Sequence, residues 1–76
     1  MPNSVFNWTF SDIEKFLKAH GFRLIHTRGS HHYYIGVVEK QLRQVCVPFH
    51  GKQTIKPRTF KGIIAQSGIA QKEWLG

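Results

Sequence analysis

The sequence predicts an α+β fold in which two helices pack on one face of a three-stranded antiparallel sheet, in the chain order α-β-β-β-α. Three observations predict it: an amphipathic segment over residues 9–20, three strand-like segments within residues 22–48, and a second amphipathic segment that starts at Pro57. Sequential strands with short connections form an antiparallel meander, and the apolar stripes of the helices need one sheet face to cover. With 76 residues, we expect a single domain over residues 1–76.

The first helix is expected over residues 9–20. Its apolar side chains recur at helical spacing, at Phe10, Ile13, Phe16 and Leu17. A capping box of the Ser/Thr-x-x-acid type fits two registers, Thr9 with Asp12 or Ser11 with Glu14. Gly21 then suits a left-handed cap at the helix end.

Three strands are expected to follow. The first covers residues 22–27, with Phe22, Leu24 and His26 on one face, and a turn at residues 28–30 leads into HHYYIGVV, which is rich in aromatic and β-branched residues. The segment EKQLR is expected as the next turn although it lacks Gly, Pro and Asn. QVCVP is then a short third strand that ends at Pro48.

The second helix follows the loop FHGKQTIK and starts at Pro57, a residue that suits the first helical turn. Its buried stripe is expected from Phe60, Ile63 and Ile64, and Gly68 ends it. Gly62 costs about 1 kcal/mol relative to Ala in a helix, and we expect it to allow close packing on the sheet. A last helical turn, AQKEWL, would return Trp74 and Leu75 to the core.

The composition favours an anionic partner. Eleven Lys and Arg against four Asp and Glu give a net charge of +7, which favours nucleic acid, although a solvated basic surface is the alternative. The single cysteine, Cys46, excludes an intrachain disulfide and fits a reducing compartment. The N-terminus lacks the pattern of a signal peptide, and no apolar run approaches the length of a membrane span, so we expect a cytoplasmic protein.

The adjacent pair His31 and His32 is the strongest candidate for chemistry. Consecutive strand residues point to opposite faces, so one imidazole lies on the open face of the sheet in either register. An imidazole can accept and donate a proton near neutral pH, and Arg28, Gly29 and Ser30 supply a cation and donors for a phosphodiester. Tyr33 and Phe49 could stack on bases. The alternative is that both histidines merely pack at a strand end.

The other candidate groups give weaker evidence for a function. His31, His32, His50 and Cys46 are zinc-donor types, but their spacing does not match a zinc motif, so no metal is expected. His20 and His26 are interpreted as structural, and Cys46 as a small buried hydrophobe. A second basic element surrounds the start of the second helix, where free N–H groups favour phosphate; it comprises Lys52, Lys56, Arg58 and Lys61.

At this point the chain resembles the HicA toxins, small bacterial mRNA interferases. The resemblance lies in LKAHGFRLIHTRGSHHYY, with its Gly-Ser-His motif, and in VCVPFHGKQTIKPRTFKGIIAQSGIAQKEWL, and it spans nearly the whole chain. It implies a double-stranded-RNA-binding-like fold and metal-independent RNA cleavage without a cofactor. The matching catalytic residue is His31, with His32 as the alternative. The family often has glycine within the second hairpin turn and before the Thr of the second helix, where this chain has EKQLR and Arg58.

The resemblance also implies partners. Messenger RNA would be the substrate, held by Arg28, Gly29, Ser30, Tyr33, Lys52, Lys56, Arg58 and Lys61, and a HicB-type antitoxin would cover the active face. We expect no membrane association and no DNA binding by the chain alone. Two alternatives stay open: a non-catalytic double-stranded-RNA-binding module, and a degenerate toxin that persists only as a ligand for its antitoxin.

Overall fold

A computed structural model describes residues 4–76 and confirms the predicted α+β order. Residues 1–3, which the predicted single domain and the signal-peptide interpretation include, lie outside the described residues. The elements are α1 (Phe10–Ala19), β1 (Arg23–Arg28), β2 (His31–Val38), β3 (Gln41–Pro48), α2 (Pro57–Ser67) and α3 (Gln71–Leu75). The strands form one antiparallel sheet in the order β1-β2-β3, and the helices cover one face of it.

Local signals place both ends of α1 as expected. Of the two possible capping boxes, the one between Thr9 and Asp12 forms: the Asp12 N–H donates to Thr9 Oγ1 (3.3 Å), and the Thr9 N–H donates to Asp12 Oδ2 (3.0 Å). Gly21 follows the helix with a φ of +86°, and Gly68 ends α2 with a φ of +72°. Both are left-handed conformations, which glycine adopts without a steric penalty.

The core lies between the helices and the covered face of the sheet. Its largest members are aromatic: Trp8 is fully buried against Phe60, and Trp74 stacks on Phe16 with ring centroids 3.8 Å apart. The predicted return of α3 to the core is therefore confirmed. Tyr34 is buried on the same side of the sheet, and its hydroxyl donates to Glu14 on α1. Burial and this carboxylate together raise the pKa of the Tyr34 phenol.

The predicted alternation of side chains between the two faces of the sheet is wrong in the middle of β1. Leu24 pairs with Tyr34, but His26 pairs with Tyr33, because a bulge at Ile25 inserts one extra residue. Leu24 and His26 therefore lie on opposite faces of the sheet rather than on the same one. A bulge of this kind depends on how two strands pair, and no local sequence pattern encodes it.

The second hairpin turn is shorter than expected. Only Glu39 and Lys40 form it, both with positive φ (50° and 67°), so β3 starts at Gln41 and not at Gln44. Two left-handed residues are the hallmark of a type I′ hairpin turn, whose twist matches that of the strands. The turn forms without glycine.

Two smaller expectations are also corrected. Gly62 does not serve close packing, because it is exposed and a Cβ built there would meet no atom within 4 Å. Close approach occurs instead at Gly36, where a Cβ would lie 2.7 Å from the ring of Phe22. Cys46 is not a core residue: it is half-buried, and it pairs with Tyr33 on the uncovered face of the sheet.

Candidate active site and nucleic-acid interface

The two adjacent histidines lie on opposite faces of β2. His31 is the first residue of the strand, is exposed, and faces the uncovered side of the sheet, opposite Arg28 on β1 and Pro48 on β3. His32 pairs with Val47 and faces the helices. The pleat of the strand thus leaves His31 as the imidazole that a substrate on the uncovered face can reach.

The surroundings of His32 are those of a packing residue. Its ring lies between Phe10 (centroids 4.9 Å apart) and Phe49 (5.7 Å), and its Nδ1 is buried without a hydrogen-bond partner among the described residues. Phe49 also packs edge-on against Phe10, and it is therefore held by the core side even though it is partly exposed. These contacts explain the place of His32 without any catalytic role.

The turn before His31 has two residues, Gly29 and Ser30. Gly29 has a φ of +59°, and glycine is favoured at the first position of a type II′ turn for this reason. Gly29, Ser30 and Arg28 are all exposed. Donor groups and a guanidinium thus stand next to the free imidazole, as a site for a phosphodiester requires.

Tyr33 lies on the same face as His31, half-buried between two neighbouring strands. It pairs with His26 on one side, where the ring centroids are 5.5 Å apart and the planes tilted by 32°, and with Cys46 on the other. His26, which the sequence analysis interprets as structural, is exposed on the uncovered face. His20 does have a structural role: its Nδ1 lies 2.9 Å from the Phe16 carbonyl oxygen, and its ring stacks on Phe16.

The loop over residues 49–56 is fastened at both ends by main-chain hydrogen bonds. The Phe49 N–H donates to the Ser30 carbonyl (2.7 Å), and the Ile55 N–H donates to the Trp8 carbonyl (2.7 Å). The first bond connects the loop directly to the turn beside His31. The second bond ties the loop to the start of α1. The predicted second basic element is thereby held in place relative to the candidate active site.

The four cations of that element are all exposed. Lys52 lies in the loop, Lys56 is the N-cap of α2, and Arg58 and Lys61 lie on α2 itself. A shallow hollow of about 310 Å³ lies at the helix start and is lined by His50, Gln53, Thr54, Ile55, Lys56 and Thr59. His50 and Thr59 were missed as site residues, since nothing in their local sequence indicates that the loop folds back beside the helix.

None of the four acidic residues of the chain lies on a strand or in the loop over residues 49–56. All four lie elsewhere: Asp12 and Glu14 on α1, Glu39 in the second hairpin turn, and Glu73 on α3. Asp12 is engaged in the capping box, and Glu14 accepts from Tyr34 and lies 3.8 Å from Lys18. Asp12 lies near the loop, because its partner Thr9 bridges Thr54. Among the described residues, however, only Lys18 forms a salt bridge, so the cations of β1 and the loop are not paired with carboxylates, which favours a polyanion there.

The opposite end of the uncovered face is apolar. Val37 and Leu42 pair across β2 and β3 beside the Glu39–Lys40 turn, and they are 64% and 69% exposed. Ile35 continues the same row towards Tyr33. The uncovered face is thus divided into a polar, basic end around His31 and an apolar end around Leu42.

Two kinds of site or segment are not found in the part of the chain that the structure describes. Residues 4–76 contain no cluster of three or more His, Cys, Asp or Glu placed to hold a metal ion. Within the same residues, every helix is too short or too polar to cross a bilayer.

Fold and surface together define a small basic α+β domain of the double-stranded-RNA-binding-like type, whose sheet leaves one face uncovered. A sequence model of the family described as HicA toxin of bacterial toxin-antitoxin matches residues 10–69. The chain therefore belongs to the HicA toxin family, as the resemblance of its sequence predicted. Membership assigns it to the toxins of bacterial toxin–antitoxin systems, which in general have an antitoxin partner. Comparisons with curated proteins and with solved structures gave no match.

Proposed function

We propose that this protein is the toxin of a type II toxin–antitoxin system and acts as a metal-independent endoribonuclease on mRNA in the cytoplasm. The observation that carries the proposal is the place of His31: exposed, on the uncovered face, beside the Gly29–Ser30 turn and opposite Arg28. RNA provides its own nucleophile, the ribose 2′-OH. A single well-placed imidazole can therefore promote cleavage by moving one proton, and such assistance typically contributes 10²–10⁴-fold.

The basic residues would hold the RNA backbone. Arg28, Gly29 and Ser30 stand next to His31, and Tyr33 offers a ring edge on the same face. Lys52, Lys56, Arg58 and Lys61 would bind phosphates further along the strand, and the Phe49–Ser30 hydrogen bond keeps the loop next to the turn. Because these contacts replace counterions, the affinity for RNA should fall steeply as the salt concentration rises.

A HicB-type antitoxin would neutralise the toxin by binding to the uncovered face of the sheet. The apolar end at Val37 and Leu42 offers surface that a protein partner can bury, and the net charge of +7 favours an acidic partner. A partner seated on this face would also exclude RNA from His31. Growth arrest on expression of the chain, relieved by co-expression of the neighbouring reading frame, would support both roles.

The decisive experiment measures cleavage of a single-stranded RNA by the purified protein in the presence of EDTA. Wild-type protein should cleave, and His31→Ala should lower kcat/KM by about 10²-fold or more while the urea midpoint stays unchanged. Thr27→Ala is the matched control, because Thr27 is an exposed residue of the neighbouring strand that pairs with His32 on the other face. Its activity should equal that of the wild type.

The alternatives give different results in the same assay. A non-catalytic double-stranded-RNA-binding module would bind RNA without cleaving it, with binding weakened by Lys56→Ala and Arg58→Ala but not by His31→Ala. Inhibition by EDTA would contradict the metal-independent mechanism. A degenerate toxin would bind the antitoxin but neither cleave RNA nor arrest growth.

A further inference from the structure

We infer that His26 is a second proton-transfer group of this site and acts as a pair with His31. The inference rests on the proposed ribonuclease function and adds to it a residue on a different strand. Cleavage of RNA at a phosphodiester needs two proton movements, one from the 2′-OH and one to the leaving 5′ oxygen. The uncovered face brings a second exposed imidazole next to the first, and it comes from β1.

The bulge in β1 is what brings His26 to this face. In a regular strand, His26 would share a face with Leu24 and point towards the helices. The extra residue, Ile25, reverses that alternation, so that His26 pairs with Tyr33 instead. Leu24 and Ile25 remain 43% and 47% exposed, so core packing gives no reason for the bulge. Bulges commonly redirect a side chain next to an active site.

The register sets the spacing of the pair. His26 is directly opposite Tyr33, and His31 is two residues from Tyr33 on the same strand, so the two histidines are diagonal neighbours on one face. Diagonal neighbours of an antiparallel pair lie roughly 7–8 Å apart at their Cα atoms. Two imidazole rings that lean towards each other across this distance leave room for one phosphate group between their nitrogens. The Tyr33 ring lies 5.5 Å from that of His26, so His26 packs beside a residue of the strand that carries His31.

The reaction balances with these two groups alone. One imidazole takes the proton of the 2′-OH while the 2′ oxygen forms a bond to phosphorus. The bond from phosphorus to the 5′ oxygen breaks, its electron pair stays on that oxygen, and the second imidazole, in its protonated form, supplies the proton. The products are a 2′,3′-cyclic phosphate and a 5′-hydroxyl, and neither a metal nor an oxidant takes part.

Few other groups on this face can titrate or carry charge. Arg23 and Arg28 lie on β1, Tyr33 lies on β2 and Cys46 lies on β3. None of the strand residues described on this face is a carboxylate, so no Asp or Glu competes with His26 for the second role. The guanidinium of Arg28, opposite His31, suits the negative charge that develops on the phosphate.

The first test is the pH dependence of kcat/KM on a short single-stranded RNA. The wild type should show a bell-shaped profile, because one imidazole must be neutral and the other protonated. His26→Ala and His26→Gln should each lose about a hundredfold in rate and one limb of the profile. Thr27→Ala, the neighbour of His26 on the other face, should keep both limbs. Circular dichroism and urea unfolding should show that all three variants are folded.

The second test uses a substrate whose leaving 5′ oxygen is replaced by sulfur. A thiolate departs without being protonated, so loss of the group that donates the proton no longer matters. One single variant, His26→Ala or His31→Ala, should regain most of its rate on this substrate, and the other should not. That result also identifies which histidine donates the proton. Rescue of both variants or of neither overturns the pairing.

Failure of this inference is separable from failure of the proposed function. The pairing alone is overturned if the wild type cleaves RNA and the kcat/KM of His26→Ala is within about threefold of the wild-type value, with both limbs of the pH profile retained. A wild-type protein that cleaves no RNA overturns both proposals.

Discussion

Strand β2 carries three pairs of identical neighbours, His31 with His32, Tyr33 with Tyr34 and Val37 with Val38, and the pleat places the members of each pair on opposite faces. On the uncovered face, His31 is exposed and Tyr33 lies between His26 and Cys46. On the covered face, His32 is wedged between Phe10 and Phe49, and Tyr34 is fully buried. The same type of side chain therefore stabilises the fold or remains available to a substrate according to the face on which it lies.

Substitution of the two tyrosines should give the largest difference in stability between the two faces. Tyr34→Ala should lower the free energy of unfolding by about 3–5 kcal/mol, because it empties a fully buried aromatic site and leaves the Glu14 carboxylate without its donor. Tyr33→Ala should cost about 1 kcal/mol or less, since Tyr33 is only half-buried. Urea unfolding at neutral pH measures both. Equal losses would contradict the division between the faces.

The stability of the protein in alkaline solution should also differ between variants of the two faces. The pKa of Tyr34 is raised in the folded protein by burial and by Glu14, so the folded state keeps this proton when the unfolded state begins to lose it, near pH 10. The stabilisation is thus complete below about pH 10 and is lost as the pH rises towards the folded value. Urea midpoints should fall above pH 10 in the wild type and in Tyr33→Phe, but less steeply in Tyr34→Phe. A Tyr34→Phe curve parallel to the wild type would show that Tyr34 is not the group responsible.

Substitution of the two histidines should have the smallest effect on stability and the clearest effect on RNA cleavage. His32→Phe should raise the free energy of unfolding by about 1 kcal/mol, because it removes a buried nitrogen that has no hydrogen-bond partner and keeps an aromatic ring against Phe10 and Phe49. His31→Phe should leave stability within about 0.5 kcal/mol and abolish RNA cleavage. The reverse outcome for cleavage would transfer the catalytic role to His32.

Much of the fold could be predicted because its signals are local. The Thr9–Asp12 capping box, Pro57 and the left-handed glycines Gly21 and Gly68 act within one helical turn, and the aromatic run of β2 needs no partner to be recognised as a strand. These features predict where elements begin and end. They do not predict how the elements pair.

The parts of the site that could not be predicted depend on pairing between segments far apart in sequence. Which member of the doublet is free depends on the register between β2 and its neighbours, and the direction of His26 depends on the bulge at Ile25. The Glu39–Lys40 turn uses two left-handed residues that are not glycine, because the twist of the strands favours them there. A local pattern contains none of this information.

The main-chain bonds that hold the loop over residues 49–56 have a consequence for the nucleic acid. With Phe49 bonded to Ser30 and Ile55 bonded to Trp8, the main chain of the loop is anchored both to the turn beside His31 and to the residue before the cap of α1. The RNA must then bend to the shape of the protein, and the ordering entropy falls on the RNA chain. We therefore expect unpaired, flexible stretches of message to be bound in a productive geometry more readily than rigid stems.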